Sequence, residues 1–116
     1  MLVEDDVSAR DVIRRQLEVL GWDVVAFGSG EDAVRAISSG LRVTLVLAVV
    51  HLPGMTGIAA VHAVSALSPG THIALMSGGA PPPASSPAEA FLRKPFTVAS
   101  LAKALAVAIG STGPDS

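Results

Sequence analysis

The sequence predicts an α/β domain in which a doubly wound, five-stranded parallel sheet is covered by helices on both faces. Short β-rich runs alternate with segments of helical period, in the order β-α-β-α-β-α-β-loop-β-α, which is the pattern of such a sheet. A length of 116 residues suits one domain and is too short for two. We therefore assign residues 1–110 to a single domain and residues 111–116 to a flexible C-terminal tail.

The first half of the chain predicts two strands, each followed by a helix. Leu2 and Val3 begin a strand that is cut short, which suggests excision from a longer protein, and residues 23–27 form the second strand. The helix after the first strand ends at Gly21, and the helix after the second strand starts at a Ser29 cap and ends at Gly40. The apolar stripe of the first helix comprises Ala9, Val12, Ile13, Leu17 and Leu20.

The second half supplies three further strands and two helices. The strands are predicted at residues 44–50, 73–76 and 90–92, and the helices at residues 58–67 and 98–109, the latter capped by Thr97. Between the last two strands, residues 78–87 contain four prolines. Proline removes a backbone donor and disfavours helix for its predecessor, so a Pro-rich loop shortens or replaces the helix expected there.

Composition limits the classes of partner and site. A net charge of -2 gives no electrostatic case for nucleic acid or anionic lipid. The most continuous apolar part of the chain, residues 43–52, is too short to span a membrane. Without cysteine there is no disulfide or thiolate site, which suits the cytoplasm.

The predicted helix 58–67 carries alanines on its outer side. If Val61, Val64 and Leu67 face the sheet, the outer side shows Ala59, Ala63 and Ala66, which is apolar for a solvated face. A partner or a homodimer contact is one interpretation. An alanine-rich surface without a partner is the other.

Polar residues follow the strands where ligands bind in open α/β sheets, at the carboxyl ends near the reversal of strand order. Glu4, Asp5 and Asp6 follow the first strand, His51 follows the third, Ser77 the fourth and Lys94 the fifth. We expect acid, hydroxyl and ammonium groups to converge at this edge.

These residues lie in four blocks that resemble the signature of response-regulator receiver domains. The blocks are residues 3–6 (VEDD), 51–57 (HLPGMTG), 76–78 (MSG) and 91–96 (FLRKPF), in the family's order and spacing. The last two blocks also resemble receivers of hybrid sensor histidine kinases. The resemblance covers nearly the whole chain and implies the flavodoxin-like receiver fold.

The resemblance also implies roles for individual residues. Receivers take a phosphoryl group from a histidine kinase onto an aspartate at the end of the third strand, with Mg²⁺ bound beside it. By that pattern Glu4, Asp5 and the backbone carbonyl of His51 would hold the metal, and Lys94 would contact phosphate. Ser77 would hydrogen-bond the attached phosphate, Phe91 would be the aromatic switch, and the bond between Lys94 and Pro95 can be cis.

The phosphoacceptor position departs from this pattern. In the family that the blocks resemble, the acceptor lies four residues before the proline that corresponds to Pro53, and here that residue is Val49, whose side chain has no oxygen to accept phosphate or bind metal. Asp and Glu are absent from residues 33–88, so no carboxylate nearby replaces it. Ser77 and Lys94 would then be vestiges, and Mg²⁺ binding would be weakened or lost. A Thr56 where the family often has an acid is a further departure.

Simpler interpretations compete with these roles. The segment Glu4–Asp6 can cap and charge the first helix as readily as bind metal, and we favour an ion pair between this segment and Lys94. Phosphorylation of His51 is disfavoured, and Phe91 can be plain core.

Two functional hypotheses follow from Val49. The first is a phosphorylation-independent pseudo-receiver that acts as an interaction module for a histidine kinase or for neighbouring domains of a longer protein. The second is an active receiver, phosphorylated at an unexpected residue or carrying aspartate at position 49 in an unaltered natural sequence. Under the first hypothesis the domain is not an enzyme.

Overall fold

A computed structural model describes residues 1–79, 81–82 and 85–110. The described residues form five strands and four helices, in the order β1 (Leu2–Val3), α1 (Val7–Val19), β2 (Ala26–Phe27), α2 (Gly30–Ser38), β3 (Leu45–Val49), α3 (Gly57–Leu67), β4 (His72–Ser77), β5 (Ala90–Arg93) and α4 (Val98–Gly110). All strand pairs are parallel, and the sheet order is β2-β1-β3-β4-β5. The predicted α/β fold class is confirmed.

The central strands are buried on both faces. Every residue of β3 is buried, and so is every residue of β4 after His72. Helix α1 contacts α4, and α2 contacts α3, so the two helix pairs cover opposite faces of the sheet. This double coverage is why β3 reads as an unbroken apolar run instead of alternating with polar residues.

Several helix boundaries were predicted correctly because their caps are encoded locally. The Ser29 hydroxyl accepts a hydrogen bond from the Asp32 amide at 3.1 Å, and the Thr97 hydroxyl accepts one from the Ser100 amide at 3.0 Å. Gly21 and Gly40 follow α1 and α2 with φ of 93° and 108°. Such left-handed conformations favour glycine after a helix.

Three details of the prediction were wrong. Strand β2 comprises only two residues, because its neighbour in the sheet, β1, offers only Leu2 and Val3 for pairing. Val12 is 55% exposed, since the buried stripe of α1 is centred on Ile13 and Leu17. Leu67 is 51% exposed; it is the last residue of α3 and borders a surface groove instead of reaching the sheet.

The outer side of α3 and the interval before β5 agree with the sequence. Ala59, His62 and Ala66 are exposed and Ala63 is half-buried, whereas Val61 and Val64 are buried. Among the described residues between β4 and β5, none is helical, in agreement with the Pro-rich loop. The predicted tail, residues 111–116, lies outside the described residues. Within those described, no helix has the length and apolar character needed to cross a membrane.

Candidate functional site

The carboxyl edge of the sheet brings together residues that are far apart in sequence. Glu4 follows β1, Val49 and Ser77 end β3 and β4, and Lys94 follows β5. In the strand order β1 and β5 are separated by β3 and β4. Val49 and Ser77 therefore end on the two strands that lie between Glu4 and Lys94.

Glu4 and Lys94 form an ion pair across this edge. The Lys94 Nζ atom donates to the Glu4 Oε1 atom at 2.6 Å, and the side chains are 26% and 2% exposed, respectively. A carboxylate this buried is costly unless it is paired and hydrogen-bonded. The ion pair expected between the acidic segment and Lys94 is therefore present, and Glu4 is the acid that forms it.

Within the segment Glu4–Asp6, Glu4 and Asp6 make different contacts. The Glu4 Oε2 atom accepts from the Asp6 amide at 3.2 Å, and the Glu4 carbonyl accepts from Arg10 Nη1 at 2.9 Å. Asp6 is the N-cap of α1 and accepts from the Ser8 amide at 3.1 Å. Asp5 is exposed. The capping interpretation thus holds for Asp6, while Glu4 belongs to the buried site.

Val49 and Ser77 lie on the two strands between Glu4 and Lys94, and both are buried. The Val49 residue is 6% exposed and Ser77 is fully buried. The Ser77 hydroxyl accepts from the Gly79 amide at 3.0 Å. Phe91 is half-buried and packs against the core, and His51 is exposed. The Lys94–Pro95 peptide bond is cis.

The residues at this edge do not fit a divalent metal. Mg²⁺ prefers a near-octahedral shell of oxygens, yet Val49 offers only hydrocarbon and both Glu4 carboxylate oxygens already accept hydrogen bonds. No cluster of three acidic, histidine or cysteine side chains suited to a metal occurs in the described part of the chain.

Comparison with known sequences identifies the family. Residues 1–106 match the profile of the response regulator receiver domain. The chain belongs to this family of two-component signalling domains. Among curated relatives, a C4-dicarboxylate transport transcriptional regulatory protein of Rhizobium meliloti is 30% identical over 77 residues, and the regulatory protein LuxO of Vibrio vulnificus is 36% identical over 76. Each alignment covers 66% of this chain but only 16% and 17% of those relatives.

Solved structures share the fold over almost the whole chain. The N-terminal domain of a response regulator/sensory box/GGDEF protein from Carboxydothermus hydrogenoformans superposes with a TM-score of 0.87 at 23% identity, covering 98% of this chain and 95% of that one. The chemotaxis protein CheY4 of Vibrio cholerae gives 0.82 at 25% identity, covering 93% and 95%. The receiver fold expected from the sequence is confirmed.

The turn that follows Val49 in this receiver domain is held by contacts that the sequence did not reveal. The Met55 amide donates to Glu31 Oε2 at 3.1 Å, and the Thr56 hydroxyl caps α3 by accepting from the Ala59 amide at 3.1 Å. Gly57 packs directly on the Val49 backbone. Of these contacts, only the Thr56 cap could have been predicted from the sequence, because threonine is a common N-cap residue. The contact of Glu31 depends on the packing of α2 beside α3.

A groove lies beside the site, between α1 and the segment Lys94–Phe96. It encloses about 340 Å³ and is lined by Asp6, Ser8, Ala9, Val12, Ile13, Gln16, Lys94, Pro95 and Phe96. Gln16 Nε2 donates to the Phe96 carbonyl at 3.3 Å and joins the two walls. The exposed Val12, which the sequence placed in the core, lies in this groove.

Proposed function

We propose that this receiver domain is a pseudo-receiver, a phosphorylation-independent interaction module in two-component phosphorelay signalling. The observation that carries the proposal is Val49 at the end of β3. Phosphoryl transfer needs a nucleophilic oxygen in line with the leaving group and cations on the transferred group. A buried valine supplies no nucleophile and no metal ligand.

The neighbouring side chains offer no replacement for the missing carboxylate. Residues 33–88 contain neither Asp nor Glu. The Ser77 hydroxyl is buried and accepts from the Gly79 amide, and a serine nucleophile needs an adjacent base. The Glu4 carboxylate is occupied by Lys94. A domain of this kind stays in one conformational state whether or not a phosphodonor is present.

The partner in this proposal is a histidine kinase or a neighbouring domain of a longer signalling protein. The share of the curated relatives that the chain spans, 16% and 17%, supports a domain that works beside others. The groove between α1 and the segment Lys94–Phe96, which is mostly apolar and contains the exposed Val12, supplies a surface for such contact. The domain would work in the cytoplasm, in keeping with its lack of cysteine. The apolar outer side of α3 would be the contact surface if the domain also forms a homodimer.

Phosphorylation with a small donor tests the proposal. The chain is incubated with acetyl phosphate and MgCl₂, and its intact mass is measured against an untreated sample. We expect no added phosphoryl group. A stable Mg²⁺-dependent gain of one phosphoryl mass at any residue would refute the pseudo-receiver, and peptide mapping would then identify the acceptor.

A further inference from the structure

The Glu4–Lys94 ion pair connects parts of the sheet that do not touch. Strands β1 and β5 are separated by β3 and β4, and neighbouring strands lie about 4.8 Å apart, so the strand ends are about 14 Å from each other. The two side chains close that distance and meet at 2.6 Å. They therefore span the carboxyl edge above the ends of β3 and β4, where Val49 and Ser77 lie.

The charges at this edge balance without a metal. With a carboxylate at position 49, that group together with Glu4 and Asp5 would give three negative charges, more than the Lys94 ammonium and the Arg10 guanidinium at the Glu4 carbonyl neutralise, and a divalent cation would offset the excess. With Val49, Glu4 is neutralised by Lys94, and Asp5 is exposed to water. Buried charge is stable only when it is paired, so the loss of one carboxylate removes the need for the ion.

We propose that the Lys94 ammonium takes the place of the divalent cation in this domain, so that the Glu4–Lys94 ion pair neutralises the pocket and fixes the segment after β5 to the end of β1. This inference rests on the proposed pseudo-receiver function and states what replaces the metal. The misfit between Mg²⁺ and the residues at the edge supports it, because both Glu4 oxygens are already engaged.

A double-mutant cycle tests the pair itself. Lys94→Met leaves the 2% exposed Glu4 carboxylate without its cation. The equilibrium constant for unfolding should rise roughly 10- to 100-fold, which is below the range for fully buried pairs because the lysine is partly exposed. Glu4→Gln combined with Lys94→Met removes the stranded charge, and this variant should be more stable than Lys94→Met alone. The exposed Lys103 of α4 gives the matched control, Lys103→Met, which should leave unfolding unchanged.

The response to Mg²⁺ tests whether the ammonium occupies the cation's place. Thermal unfolding of the parent chain should be the same in MgCl₂ and in NaCl of equal ionic strength. Lys94→Met removes the ammonium from Glu4, so that Glu4 and the exposed Asp5 can bind Mg²⁺, and the midpoint of this variant should rise in MgCl₂. An equal response of the two proteins, whether zero or not, would overturn the inference.

The two proposals fail in different measurements. If Lys94→Met does not fold, a shift of the parent chain's midpoint in MgCl₂ still overturns the inference, and its absence supports it. A parent chain that binds Mg²⁺ but gains no phosphoryl mass would overturn the inference and leave the pseudo-receiver intact. A gain of phosphoryl mass would refute the pseudo-receiver itself.

Discussion

Gly57 begins α3 directly against the end of β3, and the contact leaves no room for a side chain. A Cβ atom at this position would lie 1.9 Å from the Val49 carbonyl oxygen, 2.8 Å from the Val49 carbonyl carbon and 3.0 Å from the Val50 Cα atom. All three are backbone atoms, so no change of rotamer relieves the clash. The Gly57 amide also donates to the Val50 carbonyl at 2.9 Å.

The cost of Gly57→Ala follows from these distances. Ordinary contact for a Cβ atom begins at 3.4 Å, so α3 and β3 must separate by about 1.5 Å locally, which loses packing contacts around both elements. Overpacking of this kind costs about 1–3 kcal/mol, and a weakened buried hydrogen bond adds about 1 kcal/mol. We expect the free energy of unfolding to fall by about 3 kcal/mol.

Thermal and urea unfolding measure this loss. For a domain of this size about 1 kcal/mol lowers Tm by roughly 4 °C, so Gly57→Ala should melt roughly 12 °C below the parent chain. Gly70→Ala is the matched control, because no atom lies within 4 Å of a Cβ built on this glycine. If the free energy of unfolding of Gly57→Ala lies within about 1 kcal/mol of the parent value, the β3–α3 turn accommodates a Cβ atom at little cost and the prediction is refuted.

Three further predictions concern the site and the start of the sheet. Val49→Asp buries a carboxylate near Glu4, so the Tm of this variant should fall below that of the parent chain and recover in MgCl₂. The uncharged Val49→Asn should show no change of Tm in MgCl₂, and equal responses of the two variants would contradict the prediction. Asp6→Ala removes the N-cap of α1 and should cost about 1 kcal/mol in urea unfolding, whereas Asp11→Ala, in an exposed pair, should cost less than about 0.5 kcal/mol; equal losses would argue against a capping role. Burial lowers the pKa of the Met1 amino group from 8.0 to about 6, so the unfolded chain binds this proton more tightly than the folded one. The free energy of unfolding should therefore fall as the pH is lowered from 8 to 6. Acetylation of Met1 should remove this contribution, and an acetylated chain with the same dependence of unfolding free energy on pH would show that the amino group is not its cause.

The sequence supported the fold prediction wherever the signal was local. The Ser29 and Thr97 caps, the glycines after α1 and α2, and the prolines before β5 each act within a few residues, so their effects are readable without the tertiary structure. The errors fell where the outcome depends on a partner element. Strand β2 could extend no further than β1 allowed. Val12 lies on the side of α1 that lines the groove beside Lys94, and Leu67 is the last residue of α3.

The candidate site was predictable only in part for the same reason. Strand ends in a parallel sheet share one edge, so the convergence of Glu4, Ser77 and Lys94 followed from the element order. The ion pair was expected, yet its acid could not be chosen among three consecutive carboxylates. Burial made that choice, because Glu4 is buried directly after β1, whereas Asp5 and Asp6 are exposed and Asp6 caps α1.

By itself the sequence determined the sheet with its two helical layers, the receiver signature and the absence of a side-chain oxygen at position 49. These follow from periodicity, caps and residue identity, which act over short stretches of chain. Only the tertiary structure decided that Lys94 pairs with Glu4, that Arg10 and Glu31 hold the loops of the site, and that Gly57 contacts the backbone of Val49. Those contacts join residues brought together by strand order and helix packing, and their energies depend on burial, which exists only once the chain has folded.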